Sequence, residues 1–141
     1  MTILSYKNGL KTHKDIDMKR SALKTNTRTQ SRFKKLKARA VGVFNSWIVL
    51  RDDGICYTCG RPGNQAGHFI HRKLPFSEVN THCQCHICNC GRGGNLETYE
   101  ARLIAEYGYE AVEKMKRDAE IVHRYSIDEL ETIIHEYGRS K

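Results

Sequence analysis

The segment CYTCGRPGNQAGHFIHRKLPFSEVNTHCQCHICNC, residues 56–90, decides the fold of this 141-residue chain. It contains all six cysteines: Cys56, Cys59, Cys83, Cys85, Cys88 and Cys90. Two C-x2-C pairs, Cys56/Cys59 and Cys85/Cys88, are typical of a structural zinc site, because each short turn presents two thiolates to one ion. No export signal precedes them, and thiols in the cytosol stay reduced, which favours zinc over disulfides. The sequence therefore predicts a zinc-stabilised unit.

The remaining cysteines and the neighbouring histidines leave other ligand sets open. Cys83 or Cys90 could replace a neighbouring cysteine, and His82 or His86 could complete a Cys2His2 or Cys3His site. The two-residue spacing favours the set Cys56, Cys59, Cys85 and Cys88. Apolar side chains are few between residues 54 and 95, so we expect metal binding to supply much of this unit's folding free energy.

Amphipathic patterns flank the cysteine-rich unit. Apolar residues at three- and four-residue steps predict a helix over residues 31–52: Phe33, Leu36, Ala40, Val43 or Phe44, Trp47 and Leu50. Downstream, the sequence predicts a helix from the cap Asn95 to Tyr107, a helix from Glu110 to about Val122, and a helix that follows the capping box of Ser126 and Glu129. Two short strands are predicted near residues 66–70 and 79–82. The fold class is α+β and mostly helical, with helices over residues 95–138.

Positive charge is concentrated at the N-terminus. The chain has 24 Lys+Arg against 16 Asp+Glu, a formal net charge of +8. Residues 1–40 carry a net charge of +10 and residues 41–141 a net charge of −2. A basic arm on a near-neutral body is typical of a protein that binds a polyanion, although a solvated tail that aids solubility is the plainer interpretation. We expect a flexible basic arm over residues 1–30 and a single domain over residues 31–141, with DNA-facing charges at Lys34, Lys35, Lys37 and Arg39.

The sequence also argues against membrane and secreted classes. No apolar run approaches the roughly 18–20 residues that a membrane span requires. The first residues, MTILSYKNGLKTHK, lack the apolar stretch of a signal peptide. We therefore expect no membrane partner and a cytoplasmic location.

Several blocks of the cysteine-rich segment resemble the NinG (Rap) recombination proteins of lambda-like phages, a family of HNH-type, or ββα-metal, nucleases. The blocks are Cys56-Tyr-Thr-Cys59, Ala66-Gly67-His68-Phe69-Ile70 with Arg72, Val79-Asn80-Thr81-His82, Gln84-Cys85-His86-Ile87-Cys88-Asn89 and Gly94-Asn95-Leu96. The similarity covers roughly residues 31–118. It implies a small zinc-stapled ββα-metal unit between an N-terminal helix and C-terminal helices. It also implies a phage-encoded, metal-dependent DNA endonuclease in the host cytoplasm, which cuts branched recombination intermediates such as Holliday junctions and D-loops.

The resemblance assigns roles that suit phosphodiester hydrolysis, which needs a base, a cation and a phosphate clamp. His68 can act as the base, since imidazole has a pKa of about 6.5. By analogy with the family, Asn80 orients His68, and Asn89 supplies an oxygen ligand to catalytic Mg2+, with Mn2+ as a substitute. Arg72 grips the scissile phosphate and Lys73 contacts DNA. The zinc held by the four cysteines is structural.

One position departs from the family pattern. Many HNH enzymes place Asp or His directly before the base as a metal ligand, but this chain has Gly67 there. The reserve ligands are His71, His82, His86, Glu78 and Asn95.

Two further functions stay open at the level of sequence. One is a general HNH nicking endonuclease with little structural preference. The other is a non-catalytic zinc-finger module for DNA binding or recombination, in which His68 only supports the fold. For the junction-cutting enzyme we expect DNA and a recombinase as partners. We also expect a second copy of the chain, because symmetric cutting of a junction requires two active sites.

Overall fold

The computed structural model describes residues 13–139, with side chains described from residue 26 onward. In chain order the elements are α1 (His13–Arg51), β1 (Gln65–His68), β2 (Thr81–Gln84), a π-helical turn (Ile87–Gly91), α2 (Leu96–Tyr107), α3 (Tyr109–Asp118) and α4 (Ile127–Tyr137). The architecture is α+β and mostly helical, as the sequence predicts. No helix in this part of the chain is both long enough and apolar enough to cross a bilayer.

Helix α1 begins at His13, whereas the apolar pattern predicts a start at Ser31. Residues 13–30 contain neither glycine nor proline, so nothing in them breaks a helix even though they lack an apolar stripe. Residues 1–12 of the predicted arm lie outside the described residues. The chain divides into two compact units, Met1–Lys35 and Leu36–Lys141. The predicted division into an arm and a nuclease domain stays a prediction.

The buried face of α1 within the second unit consists of Ala40, Phe44 and Ile48, which are 0% exposed. Their four-residue spacing is that of one helix face. Leu50, which the sequence pattern assigned to this face, is 60% exposed. Phe44 meets Tyr137 of α4 in an edge-to-face contact with ring centroids 4.9 Å apart, so the end of the chain packs on α1.

Strands β1 and β2 form one antiparallel hairpin in which Gly67 pairs with His82 and His68 pairs with Thr81. Both strands are displaced from the predicted ranges, 66–70 and 79–82. The second begins two residues late because residues 78–80 form a turn, in which the N–H of Thr81 donates to the carbonyl of Glu78 at 3.4 Å. Over this hairpin lies the core formed by Tyr99 and Leu103 of α2 and by Val112 and Met115 of α3.

The C-terminal helices follow the sequence with two differences. The capping box of Ser126 and Glu129 is present at the start of α4. Asn95 occupies the N-cap of α2 but makes no side-chain cap hydrogen bond, because its backbone is left-handed with φ 51°. Helix α3 ends at Asp118, four residues before the predicted end at Val122.

Candidate metal centre and catalytic loop

Four cysteine sulfurs converge at one point beside the hairpin. The Sγ atoms of Cys56, Cys59, Cys85 and Cys88 lie within 4.8 Å of one another. The first pair sits on the turn after α1, and the second pair spans the end of β2 and the π-helical turn. Cys59 Sγ and Cys85 Sγ are 3.7 Å apart, close to the ~3.8 Å that a tetrahedron with Zn–S bonds of about 2.3 Å requires. These four cysteines therefore fit a structural metal such as zinc.

Within the cluster, the surroundings of Cys59 favour its thiolate form. Cys56, Cys85 and Cys88 are buried, which excludes water from the sulfurs. The Nε atom of Arg61 lies 3.5 Å from Cys59 Sγ, and this hydrogen bond is the main cause that lowers the pKa of Cys59 to about 6. Metal ligation requires the deprotonated form, so Arg61 favours it.

The alternative ligands lie elsewhere. Cys90 is exposed and its Sγ points toward Gln65 Oε1 at 3.6 Å. His82 bonds to Tyr99, and His86 lies 3.4 Å from the side-chain nitrogen of Gln65. Cys83 is buried at the strand pair. Within residues 26–139, the four cysteines above are the one group of three or more Cys, His, Asp or Glu side chains that could hold a metal ion.

His68 ends β1 and faces the loop of residues 69–80. Its Nε2 atom lies 3.4 Å from the carbonyl oxygen of Pro75. The tautomer that carries its proton on Nε2 donates to this carbonyl, and the backbone of Ala66 also interacts with the ring. Burial lowers the pKa of His68 below its ordinary value. Burial therefore favours the neutral form of the ring.

Asn80 holds the same loop from inside and is 0% exposed. Its Oδ1 accepts from Ile70 N at 2.7 Å, and its Nδ2 donates to the carbonyls of Ile70 at 3.1 Å and Leu74 at 3.2 Å. One carboxamide thus fixes the two ends of the segment that carries Arg72. Leu74 directly precedes Pro75, so Asn80 also fixes the carbonyl that His68 contacts.

The basic residues of the loop differ in their contacts. Arg72 is exposed and has a left-handed backbone with φ 65°, an uncommon conformation for a residue with a side chain. Lys73 forms an exposed ion pair with Glu120 at 2.8 Å. On α1, the four predicted DNA-facing residues are all exposed: Lys34, Lys35, Lys37 and Arg39.

The structure does not bring Asn89 beside His68. Asn89 Nδ2 donates to Gln65 Oε1 at 3.0 Å, and Gln65 is three residues before His68 on β1, a separation of about 10 Å along a strand. Gly67 offers no side-chain ligand. The role of Asn89 as a magnesium ligand stays a prediction.

Sequence reasoning missed Gln84, which occupies the space above Gly67. An ideal Cβ on Gly67 would lie 2.0 Å from Gln84 Oε1. Gln84 is 0% exposed, and its Nε2 donates to Thr58 Oγ1 and to the Gly94 carbonyl. The register that pairs Gly67 with His82 places Gln84 on the same face, so only a predicted register could have revealed this contact. A side chain at position 67 would overlap with the side chain of Gln84, so glycine fits this position without displacing Gln84.

Comparison with known proteins places the chain among phage proteins. Residues 4–141 match the family described as NinG, the bacteriophage lambda NinG protein. The protein ninG of Escherichia phage lambda is 36% identical over 101 residues, which cover 66% of this chain and 49% of that protein. The ninG proteins of Salmonella phage P22 and Escherichia phage 933W are 35% and 34% identical over 101 residues, again 66% of this chain and 49% and 50% of those proteins. The chain thus spans about half the length of these relatives, and no solved structure matches it.

Proposed function

This chain belongs to the NinG family of bacteriophage proteins, and from that premise we propose that it is an HNH-type DNA endonuclease in which His68 is the general base. The observation that carries the proposal is the set of contacts that hold the ring of His68. Its ring is half-buried, burial favours the neutral form, Nε2 lies 3.4 Å from the carbonyl of Pro75, and Asn80 fixes the loop that supplies Pro75. A neutral, half-buried histidine, followed four residues later by an exposed arginine, is suited to activating water next to a phosphate.

In the proposed reaction, the neutral imidazole of His68 takes a proton from a water molecule, and the resulting hydroxide attacks phosphorus. The phosphodiester bond to the leaving sugar oxygen breaks, and that oxygen takes a proton from solvent. Arg72 donates hydrogen bonds to the non-bridging phosphate oxygens, where negative charge increases. The exposed lysines and arginine of α1 supply phosphate contacts that carry no base readout.

The proposed substrate is branched DNA, such as Holliday junctions and D-loops, cut during phage recombination. This part rests on the family resemblance, as do the proposed homodimer and recombinase partner. The requirement for Mg2+ or Mn2+ also rests on the resemblance, since Gly67 and the placement of Asn89 leave its ligands unassigned.

The decisive assay compares a labelled four-way junction with a linear duplex of equal length, with and without Mg2+. We expect cutting of the junction with Mg2+, and loss of cutting without loss of binding in His68→Ala, since a general base contributes about 10²–10⁴-fold. His135→Ala is the matched control, because His135 is an exposed histidine on α4. Equal cutting of both substrates would instead support the general nicking endonuclease.

A second candidate function is a zinc-finger module that binds DNA without cutting it. Gln84 above Gly67 favours this candidate, because it leaves position 67 without a metal ligand. Binding without cleavage across common divalent metals would establish the module and reject the nuclease.

We also propose that the four cysteines bind one zinc ion per chain, which stabilises the hairpin. Metal analysis of the purified protein should return about one zinc per chain, and a chelator should lower the unfolding temperature. A folded protein that contains no metal would contradict this assignment.

A further inference from the structure

The hydroxyl of Tyr99 lies behind the candidate base, at the junction of the two strands. Tyr99 is on α2, is 0% exposed and belongs to the core that packs on the hairpin. Its OH lies 3.0 Å from the carbonyl oxygen of Gly67 and 3.4 Å from that of Asn80. It is also 3.1 Å from Nδ1 of His82. A single buried hydroxyl therefore touches three groups of the hairpin.

One arrangement of protons satisfies all of these contacts. The two carbonyls can only accept, so the phenol O–H points toward Gly67 and Asn80. His82 Nδ1 must then donate to the Tyr99 oxygen, which leaves His82 Nε2 to accept from the hydroxyl of Tyr107 at 3.4 Å. Burial raises the pKa of Tyr99 and, as the largest cause, lowers that of His82 to about 4. Both groups are therefore neutral at pH 7, and the arrangement persists.

The two carbonyls are linked to the backbone directly before and directly after His68. Gly67 is the residue before His68. The Asn80 carbonyl accepts from the backbone N–H of Phe69, the residue after His68, at 2.9 Å. The Tyr99 hydroxyl thus bonds to the carbonyl of Gly67, directly before His68. It also contacts the Asn80 carbonyl, which accepts from the N–H of Phe69, directly after His68.

We propose that Tyr99, oriented by His82, is a positioning residue that fixes the backbone of His68 and thereby aims its ring. Tyr99 is buried and does not touch substrate, so it acts through His68. The inference rests on the proposed nuclease function, because a positioning role requires a base to position.

Tyr99→Phe tests the proposal, because it keeps the packing of the ring and removes the three polar contacts. Tyr57→Phe is the matched control: Tyr57 stacks on His82 with ring centroids 3.8 Å apart, but its hydroxyl bonds to Glu106. In Tyr99→Phe we expect kcat for junction cutting to fall about 10- to 100-fold, the effect of a displaced reacting group, with KM unchanged. In Tyr57→Phe we expect both constants to match wild type.

Nitrogen-15 NMR of the histidine rings and amide exchange provide readouts that do not depend on cutting. We expect His82 of the wild-type chain to carry its proton on Nδ1, and we expect Tyr99→Phe to shift the His68 ring signals and speed exchange of the Phe69 amide. A His82 proton on Nε2, or His68 signals in Tyr99→Phe identical to those in Tyr57→Phe, would overturn the proposal. The wild-type tautomer decides the matter even if Tyr99→Phe does not fold. A chain that cuts no DNA but shows the expected NMR changes refutes the nuclease proposal, and Tyr99 then only holds the backbone of His68 within the fold.

Discussion

Gly67 and Gln84 share one small space in the hairpin, and this contact can be measured by substitution. Gln84 cannot move aside easily, because Thr58 and Gly94 hold its amide nitrogen at 3.2 and 2.8 Å. We expect Gly67→Ala to lower the free energy of unfolding by about 1–3 kcal/mol, the usual cost of overpacking. Urea unfolding of the metal-loaded protein measures this cost.

Two comparisons make the Gly67 prediction specific. The double variant Gly67→Ala/Gln84→Ala should lose less stability than the sum of the single variants, since the clash is then absent. Gly42→Ala on α1 should raise stability by about 0.5–1 kcal/mol, because no atom lies within 4 Å of its added Cβ. Simple additivity at positions 67 and 84 would argue against the contact.

Arg72 combines a strained backbone with a proposed role in phosphate binding. A residue with a Cβ in the left-handed region costs about 1–2 kcal/mol, which glycine avoids. We expect Arg72→Gly to be about 1 kcal/mol more stable than wild type and to cut DNA more slowly, as measured by thermal unfolding and the junction assay. Arg124→Ala, which removes an exposed arginine between α3 and α4, is the control. Cutting by Arg72→Gly at the wild-type rate would show that Arg72 takes no part in the reaction.

At the scale of elements, the packing of α2 on the hairpin should respond to pH through His82. Burial and the positive charge of Arg51 lower the pKa of His82 to about 4 in the folded chain, whereas in the unfolded chain it is about 6.5. Between these values the unfolded state binds more protons, so stability falls as the pH falls. The loss reaches at most about 3 kcal/mol, since each pKa unit is worth about 1.4 kcal/mol.

Comparison with His82→Gln isolates this effect. Both proteins keep the four cysteines, so acid-induced loss of metal affects them alike. We expect urea unfolding between pH 7 and pH 4 to show a shallower pH dependence in His82→Gln. Parallel curves for the two proteins would show that His82 does not titrate in this way.

The sequence predicts elements best where the signal is local. The cysteine pairs and the Ser126–Glu129 capping box each depend on neighbours three residues apart, and both are confirmed. The start of α1 was missed because a search for an apolar stripe does not detect a solvated helix, and residues 26–30 are all exposed. The roles of Tyr99 and Gln84 depend on strand register and on the docking of α2, which no local pattern contains.

At the scale of the whole molecule, the asymmetric charge predicts how DNA binding responds to salt. Removing residues 1–30 should weaken binding and flatten the dependence of affinity on salt, because fewer counterions are released from DNA. Removal of residues 139–141, which carry two positive charges at the other end, is the control. Titration of a fluorescent junction at several salt concentrations measures both slopes. An unchanged slope after loss of the first 30 residues would mean that this segment only aids solubility.

The four-cysteine cluster also has a consequence for the unfolded chain. Cys59 and Cys85 are 26 residues apart, and the segment between them contains His68, Arg72 and Asn80. A metal ion held by the cluster closes this segment into a loop and removes conformational entropy from its disordered forms. Loss of the ion would therefore lower the stability of the ordered form of this segment. The supply of zinc during synthesis would then set what fraction of the chains carries an ordered site.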